Sequence, residues 1–302
     1  MGIDLGGSKI EILALGPQGE DLFRRRCPTP RDYAATLDAI ADLVTAAEEA
    51  TGGGGRSTLG IGHCGAIAPA TGLMQNANAT FLDGRPFDRD LMQRLRRPIA
   101  FANDANCLGL SEAMDGAAAG ARVVFAVVLG TGVGGAVVAD GRIHVGPNAI
   151  GGEWGHNPLP RPGDDERPGL PCYCGRRGCI ETWLAGPALA LDHERATGRR
   201  LSAPEIVAAA DAGDDAAEAT MARYEERLAR ALGTAVNLLD PDVVVIGGGL
   251  SNVARLYPAM ARLLPAHVFT RDLATPIRPA RHGDSSGVRG AAWLGRTAAA
   301  AG

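Results

Sequence analysis

Three cysteines within eight residues, Cys172-Tyr173-Cys174-Gly175-Arg176-Arg177-Gly178-Cys179, constrain this chain more than any other stretch. The glycines let the loop fold back on itself, and His156 is the nearest histidine upstream. Three thiolates and one imidazole form a tetrahedral zinc site, so the expected ligands are His156, Cys172, Cys174 and Cys179. Disulfides or free thiols are the alternatives. A Cys-x-Cys pair closes poorly on itself, and a cytoplasmic chain disfavours disulfides. Four protein ligands leave no open position, which makes the metal structural. It would pin the irregular Gly-, Pro- and Cys-rich stretch Gly146–Gly178, too long to stand structureless in a compact domain, with a binding energy on the order of 10 kcal/mol. One ring nitrogen of His156 would remain for a substrate. Cys27, Cys64 and Cys107 are scattered and read as small buried hydrophobes.

Around this loop, strand-like and helix-like segments alternate. Gly2–Leu5 and Ile10–Leu15 flank the Gly6-Gly7 turn as a hairpin. Tyr33–Ala50 has helical apolar spacing and stops at a Gly52–Gly55 breaker. Thr58–Gly62 and Pro98–Ala102 read as short buried strands, and Ala105–Met114 as a helix. Val123–Leu129 opens a second sheet, with Gly134–Ala139 turning through Asp140-Gly141 into a strand from Ile143. Ser202-Ala203-Pro204-Glu205 has capping-box spacing and starts a helix. Asp215–Leu239 is a longer helix, Val243–Ile246 a buried strand followed by a helix, and Ser286–Ala300 the last helix. The order is α/β with two similar halves.

The 302 residues suffice for two domains, and 46% hydrophobic with 21% charged residues excludes wholesale disorder. Glycine, 42 of 302, is twice its usual share of about 7%, pointing to tight turns or close backbone approach to a ligand. A net charge of -4 leaves no electrostatic footprint for nucleic acid or anionic membrane. No run approaches the ~18 apolar residues of a membrane span, and the opening lacks the charged and apolar regions of a leader, so the expected location is the cytoplasm. Arginine outnumbers lysine 29 to 1. The one lysine, Lys9, lies in the first glycine turn, a hint that a compact ammonium is wanted there.

Three glycine turns stand out: Asp4-Leu5-Gly6-Gly7-Ser8-Lys9, Gly130-Thr131-Gly132-Val133-Gly134-Gly135, and Gly247-Gly248-Gly249-Leu250-Ser251. Their backbone N–H groups can approach phosphate oxygens, with Ser8 and Thr131 adding hydroxyls. Each alone could be a plain hairpin turn; two in matching places of similar halves suggest a gripped nucleotide. Asn103-Asp104-Ala105-Asn106 follows an apolar strand. Asp104 there either caps a helix or serves as a general base at the carboxyl edge of a sheet, where α/β folds build their sites. Glu153 and Glu181 bracket the cysteine loop and suit a polyol.

These stretches, with Gly152-Glu153-Trp154-Gly155-His156, Cys172–Glu181 and Val245–Ser251, resemble the ROK family of sugar kinases and sugar-responsive regulators, in family order across nearly the whole chain. The resemblance implies an actin-like, hexokinase-type (ribonuclease H-like) α/β fold of two domains with a structural zinc loop. The small domain would span 1–107 plus 286–302; the large one would span 108–285, with the zinc loop at 146–181. It implies ATP, Mg²⁺ and Zn²⁺ as cofactors, a homodimer, and an ATP-dependent hexose kinase whose base is Asp104. Gly65, Asn103, Glu153, His156 and Glu181 look like sugar contacts. Gly6, Gly7, Ser8 and Lys9, with Gly130, Thr131, Gly132, Val133 and Gly134, look like phosphate grips. Gly247, Gly248 and Gly249 look like part of an adenosine pocket, and Asp4 like an outer-sphere partner of magnesium.

Within the family the chain is most similar to bacterial fructokinases, on Pro28–Asp32, Asn76–Asp83, Gly152–Pro160, Pro171–Thr182 and Arg281–Gly290, so D-fructose, possibly with mannose, is the expected sugar; N-acetylglucosamine kinase and glucokinase are the alternatives. Ser8 replaces a commoner threonine. His63-Cys64-Gly65-Ala66 departs from the family's pattern near the sugar and bears on substrate preference. The first strand starts a residue or two late, which would weaken that edge. A non-catalytic regulator would need a DNA-binding region before the first glycine turn, and that turn begins at residue 4.

Overall fold

The computed structural model describes residues 1–53, 57–77 and 79–300. Gly54 and Gly55 of the expected breaker, Asn78 of the 76–83 block and the last two residues lie outside them. Two compact units result: Met1–Gly120 with Val137–Gly151 and the chain from Arg281, and Ala121–Ala136 with Gly152–Ala280. The border expected at residue 107 would fall inside a helix (104–115) that belongs wholly to the first unit.

In the first unit, β1 (Gly2–Leu5) and β2 (Lys9–Leu15) form the expected antiparallel hairpin. The sequence reading missed β3 (Asp21–Pro28), an edge strand whose mostly exposed, charged residues carry no alternation signal. The helix α1 (Tyr33–Thr51) starts where Asp32 accepts the Ala35 N–H at 2.9 Å and ends where Gly52 turns left-handed. Next come β4 (Gly60–His63), the short pair β5 (Ala66–Ile67) and β6 (Met74–Gln75), α2 (Phe87–Leu95), β7 (Ala100–Asn103) and α3 (Asp104–Asp115). The strands β4 and β7 lie two residues later than expected at their start. The sheet runs β3-β2-β1-β4-β7, with β1, β4 and β7 parallel, so β1 is the central strand and not an edge. One core joins Ile3, Leu5, Ile10 and Ile12 to Ile40, Val44, Phe87 and Leu91.

The second sheet is built from β8 (Val123–Leu129), β9 (Val133–Ala139) and β10 (Arg142–Ile143), the last two joined through Asp140-Gly141 as expected. Four helices follow the irregular loop: α4 (Glu181–Leu184), α5 (Gly186–Thr197), α6 (Ala203–Asp211) and α7 (Asp215–Leu239). Ser202 and Glu205 make the capping box of α6. Then β11 (Val243–Gly247) runs parallel to β8, α8 (Leu256–Leu263) follows a short 3-10 turn, and β12 (Ile277–Pro279) closes the order β10-β9-β8-β11-β12. The final helix, α9 (Ser286–Ala300), returns to the first unit.

Several glycines serve helix packing and not ligand approach. A Cβ on Gly2 would overlap the backbone of Ala292, one on Gly60 the carbonyl of Ala291, and one on Gly290 the carbonyl of Cys107. The irregular loop has an anchor besides the cysteines. Glu166, its side chain 6% exposed, accepts from Arg227 Nε at 2.8 Å and from Arg230 NH2 at 2.7 Å, and Arg230 also donates to the carbonyls of Pro160 and Arg161. Although burial works against it, these donors hold the Glu166 carboxyl down at about 2. Its stabilisation is therefore present above the ordinary carboxylate range and fades as pH falls toward 2. Removing one partner of such a buried pair costs about 3–5 kcal/mol. Glu166→Ala should lower the melting temperature by roughly 6–20 °C at pH 7, measured by differential scanning calorimetry; an unchanged value would show that the loop does not depend on this anchor.

Candidate functional site

The parallel strands β1, β4 and β7 end together, with Leu5, His63 and Asn103 in register. Asn103 is the cap of α3: its side-chain oxygen accepts the Asn106 N–H at 2.8 Å. Capping thus falls to Asn103, and Asp104 is the first helical residue, with one oxygen accepting the Ala105 N–H at 2.8 Å. Although its side chain reaches solvent, desolvation by the surrounding protein pushes the Asp104 carboxyl up, against the opposing pull of the backbone N–H groups. Near the end of β1, Asp4 is pushed up to about 6, mainly by burial and next by the negative charge of Asp104. Two acids therefore share one edge of one sheet, and the charge on Asp104 raises the cost of ionising Asp4. At the start of α9, a Cβ on Gly287 would lie 3.3 Å from the Asp4 carboxylate. Cys107, one turn beyond Asp104, is fully buried and its thiol is driven well up by burial and by both acids.

The first glycine turn is closed by Gly6 N–H donating to the Lys9 carbonyl at 3.0 Å, with open space where Gly7 would carry a Cβ. Thr29, which sequence reasoning passed over, braces it: its hydroxyl donates to the Gly6 carbonyl at 2.7 Å and its N–H to the Ser8 carbonyl at 3.1 Å. Lys9 Nζ lies 3.7 Å from Glu11 and remains 42% exposed. Gly65 has a positive φ of 75°, and a Cβ there would lie 2.5 Å from the Gln75 carbonyl, so backbone crowding requires glycine at this position. His63, expected near the sugar, turns into the core between Phe87 and Phe101, at ring distances of 6.4 and 6.5 Å, where burial lowers its pKa. Of the three scattered cysteines, Cys64 and Cys107 are buried, but Cys27 is only half-buried because it sits on the edge strand β3.

In the second unit the other two glycine turns meet. Gly247 ends β11 beside β8, and a Cβ on Gly130 would lie 4.0 Å from the Gly249 nitrogen. Gly130 donates to the Gly132 carbonyl at 3.0 Å, and its own carbonyl accepts the Gly186 N–H of α5 at 2.7 Å. Gly248 has a φ of 80° and crowds the Leu129 carbonyl. The Trp154 indole N–H donates to the Gly134 carbonyl at 2.7 Å, fixing Glu153-Trp154-Gly155-His156 against β9, with Glu153 exposed at the start of a 3-10 turn. Glu181, expected to contact sugar, accepts the Val133 N–H at 3.0 Å, while its other oxygen lies 4.0 Å from Cys172 Sγ.

The four expected metal ligands converge: His156, Cys172, Cys174 and Cys179 place their ligand atoms within 4.8 Å of one another. Zinc bond lengths of about 2.0–2.3 Å demand ligand-to-ligand edges of about 3.5–3.8 Å in a tetrahedron. His156 Nδ1 is 3.6 Å from Cys172 Sγ, and Cys174 Sγ is 3.6 Å from Cys179 Sγ. The donor set and spacing fit zinc. Arg176 beside Cys174 helps lower that thiol to about 6, whereas burial pushes Cys172 and Cys179 up, so the latter two need the cation itself to become thiolates. His156 Nε2 lies 2.9 Å from the hydroxyl of Tyr173, whose side chain is otherwise 80% exposed. This partner stood inside the cysteine motif, but spacing alone gave no sign of it.

A sheet edge with two acids of raised pKa in one α/β unit, and paired glycine turns beside a Cys3His cluster in the other, define a two-domain protein of the hexokinase-like fold. The chain belongs to the ROK family, whose model matches residues 1–298. It is 38% identical over 299 residues, 97% of this chain and 98% of the relative, to an N-acetyl-D-glucosamine kinase of Haemophilus influenzae. Its structure is similar to that of a ROK hexokinase from Thermus thermophilus, with a TM-score of 0.87 at 30% identity over 100% of this chain and 99% of the other. A ROK glucokinase from Streptomyces griseus, in complex with glucose and AMPPNP, gives 0.76 at 26% identity over 98% of each chain. The relatives thus point away from the fructokinase subgroup that the sequence blocks suggested. Among the described residues no helix is long and apolar enough to cross a membrane.

Two outcomes follow for the site. Because the folded Asp4 carboxyl sits above its ordinary value of 3.8, the folded state holds a proton that the unfolded state has lost between about pH 4 and 6. Stability therefore falls as pH rises through that window, by no more than about 3 kcal/mol, and stays reduced above it. Asp4→Asn should melt higher than wild type at pH 7 and flatten that slope in thermal scans from pH 4 to 7. For the metal, the purified protein should hold one zinc per chain by mass spectrometry. Cys179→Ser should lose it and melt lower; full zinc retention would remove Cys179 from the ligand set.

Proposed function

We propose that this ROK-family sugar kinase transfers the γ-phosphoryl group of ATP to the 6-hydroxyl of N-acetyl-D-glucosamine, with Asp104 as general base. The observation that carries the reaction is the setting of Asp104: open to solvent just past the end of β7, its pKa raised by the surrounding protein, and relieved of the capping role by Asn103. A base so placed takes the proton of the sugar hydroxyl as that oxygen attacks phosphorus in line, and ADP leaves. Asn103, Gly65, Glu153, His156 and Glu181 would line the sugar. The turns at Gly6–Lys9 and Gly130–Gly134 would hold the phosphates, and Gly247–Gly249 the adenosine side. Asp4 and Asp104 are the carboxylates near which a magnesium ion arriving with ATP would neutralise phosphate charge. A cytoplasmic homodimer is the assembly in keeping with this reading.

The choice of sugar rests on the relatives, which are N-acetyl-D-glucosamine kinases at 38–40% identity over 97% of this chain. D-fructose is the second reading, supported by the block Asn76–Asp83, where the resemblance to fructokinases exceeds that to N-acetylglucosamine kinases. ADP release with Mg·ATP against N-acetylglucosamine, fructose, mannose and glucose decides between them. The highest kcat/KM is expected for N-acetylglucosamine; a higher value for fructose would reverse the assignment and leave the mechanism standing. Asp104→Asn should lose roughly 10²–10⁴ in kcat while still binding sugar. Near wild-type turnover in that variant would end the base assignment.

A further inference from the structure

Glu181 makes a contact that sugar recognition does not require. It is the first residue of α4, two positions after the metal ligand Cys179, and the Thr182 N–H returns to the Cys179 carbonyl at 2.9 Å. The metal lobe therefore sets where this carboxylate stands. From there one oxygen accepts the Val133 N–H at 3.0 Å, and a Cβ on Gly132 would lie 2.8 Å from the same oxygen. The turn is thus held at both ends. Gly130 is tied to Gly186 at the start of α5, and Val133 is tied to Glu181. A cavity of about 350 Å³ is bordered by Thr131 of this turn and by Glu181, Cys172, Tyr173, Pro187 and Ala188.

We propose that Glu181 is a positioning residue for the nucleotide: its carboxylate carries the rigidity of the metal lobe to the 130–134 turn and sets the shape in which that turn receives phosphate. The inference rests on the reading that this turn grips nucleotide phosphates. A hydrogen bond from an amide to a carboxylate is among the stronger kinds in a protein, and its loss frees Val133 of its one side-chain hydrogen bond among those described. Glycine at 132 has a physical reason as well, because any side chain there would push the carboxylate off Val133.

The test is calorimetric binding of Mg·ADP with no sugar present, so that a sugar contact cannot contribute. Wild type should bind. Glu181→Ala should weaken Mg·ADP roughly tenfold, the loss of one charge-assisted hydrogen bond. Glu181→Gln keeps an acceptor for Val133 and should stay within about threefold of wild type. Gly132→Ala, with Glu181 intact, should weaken binding as Glu181→Ala does, and it decides the matter should Glu181→Ala not fold. Zinc content, measured in parallel, should remain one per chain in every variant. Unchanged Mg·ADP affinity in Glu181→Ala and Gly132→Ala, with wild type binding, would overturn the bracing role and leave the nucleotide reading intact. Failure of wild type itself to bind would instead overturn the nucleotide reading, and the bracing role with it.

Discussion

The first unit depends on a backbone-to-backbone approach between α9 and its neighbours. Gly2 and Gly60 on the sheet side, and Gly290 and Gly295 on the helix side, leave no room for a Cβ. Contact this close brings many weak attractions to bear at once, and it fixes α3 through the Cys107 carbonyl against Gly290. Asp104 is thereby set one turn upstream of a clamped position. The same return of the chain is held by Glu112, a fully buried acid of α3 that accepts from the N–H groups of Ala117, Arg281 and His282 and from the Ser286 hydroxyl. Asp115 then collects Arg289, His282 and the Trp293 indole. A carboxylate with that many donors is satisfied without water, so the segment joining β12 to α9 is held in place although only Gly283–Ser285 of it, a 3-10 turn, is regular.

The second unit solves a related problem by different means. Its loop between β10 and α4 has almost no ladder hydrogen bonds, so its backbone groups are paired locally: Cys172 N–H to the Arg176 carbonyl, Gly178 N–H to the Leu170 carbonyl, and Ile180 N–H to the Asn157 carbonyl. Two separate pins hold the result. The Cys3His cluster gathers the loop on itself, and Glu166 ties it to Arg227 and Arg230 on α7. Neither pin substitutes for the other, since the cluster joins residues 156–179 only to one another while the ion pairs fix that lobe to the helices.

What the sequence revealed follows from which interactions are local. The cysteine cluster, the hairpin through Gly6-Gly7, the turn at Asp140-Gly141 and the capping box at Ser202 each involve residues a few positions apart, and each forms as expected. The long helix Asp215–Leu239 forms with the bounds expected for it. Glu166 was not, because its arginines lie 61 and 64 residues away and nothing in the spacing announces them. Strand β3 was hidden by its exposed charge, and the packing of His63 against Phe87 and Phe101 was hidden because both rings are distant in sequence. The glycine excess was read as turns and ligand approach, whereas several of those glycines admit a helix. For Asp104, spacing left capping and catalysis both open; the bond from Asn106 N–H to Asn103 gives the cap to Asn103.

The two acids at the edge of the first sheet work against stability, and the fold does little to relieve them. Lys9 and Arg26 do lower the Asp4 pKa, but by less than burial and Asp104 raise it. Both cations are engaged nearer by. Glu11 on β2, its side chain fully buried, lies 3.7 Å from Lys9 Nζ, 3.1 Å from Arg24 Nε and 2.9 Å from Arg26 Nε. A third acid thus holds the positive charge on the adjoining strands, and Asp4 and Asp104 are left to repel each other. An arrangement serving stability alone would have placed an arginine between them or replaced one with an amide. Uncompensated carboxylates persist where a ligand is to supply the missing charge or give up a proton; in the proposed reaction a magnesium nucleotide would do the first and a sugar hydroxyl the second.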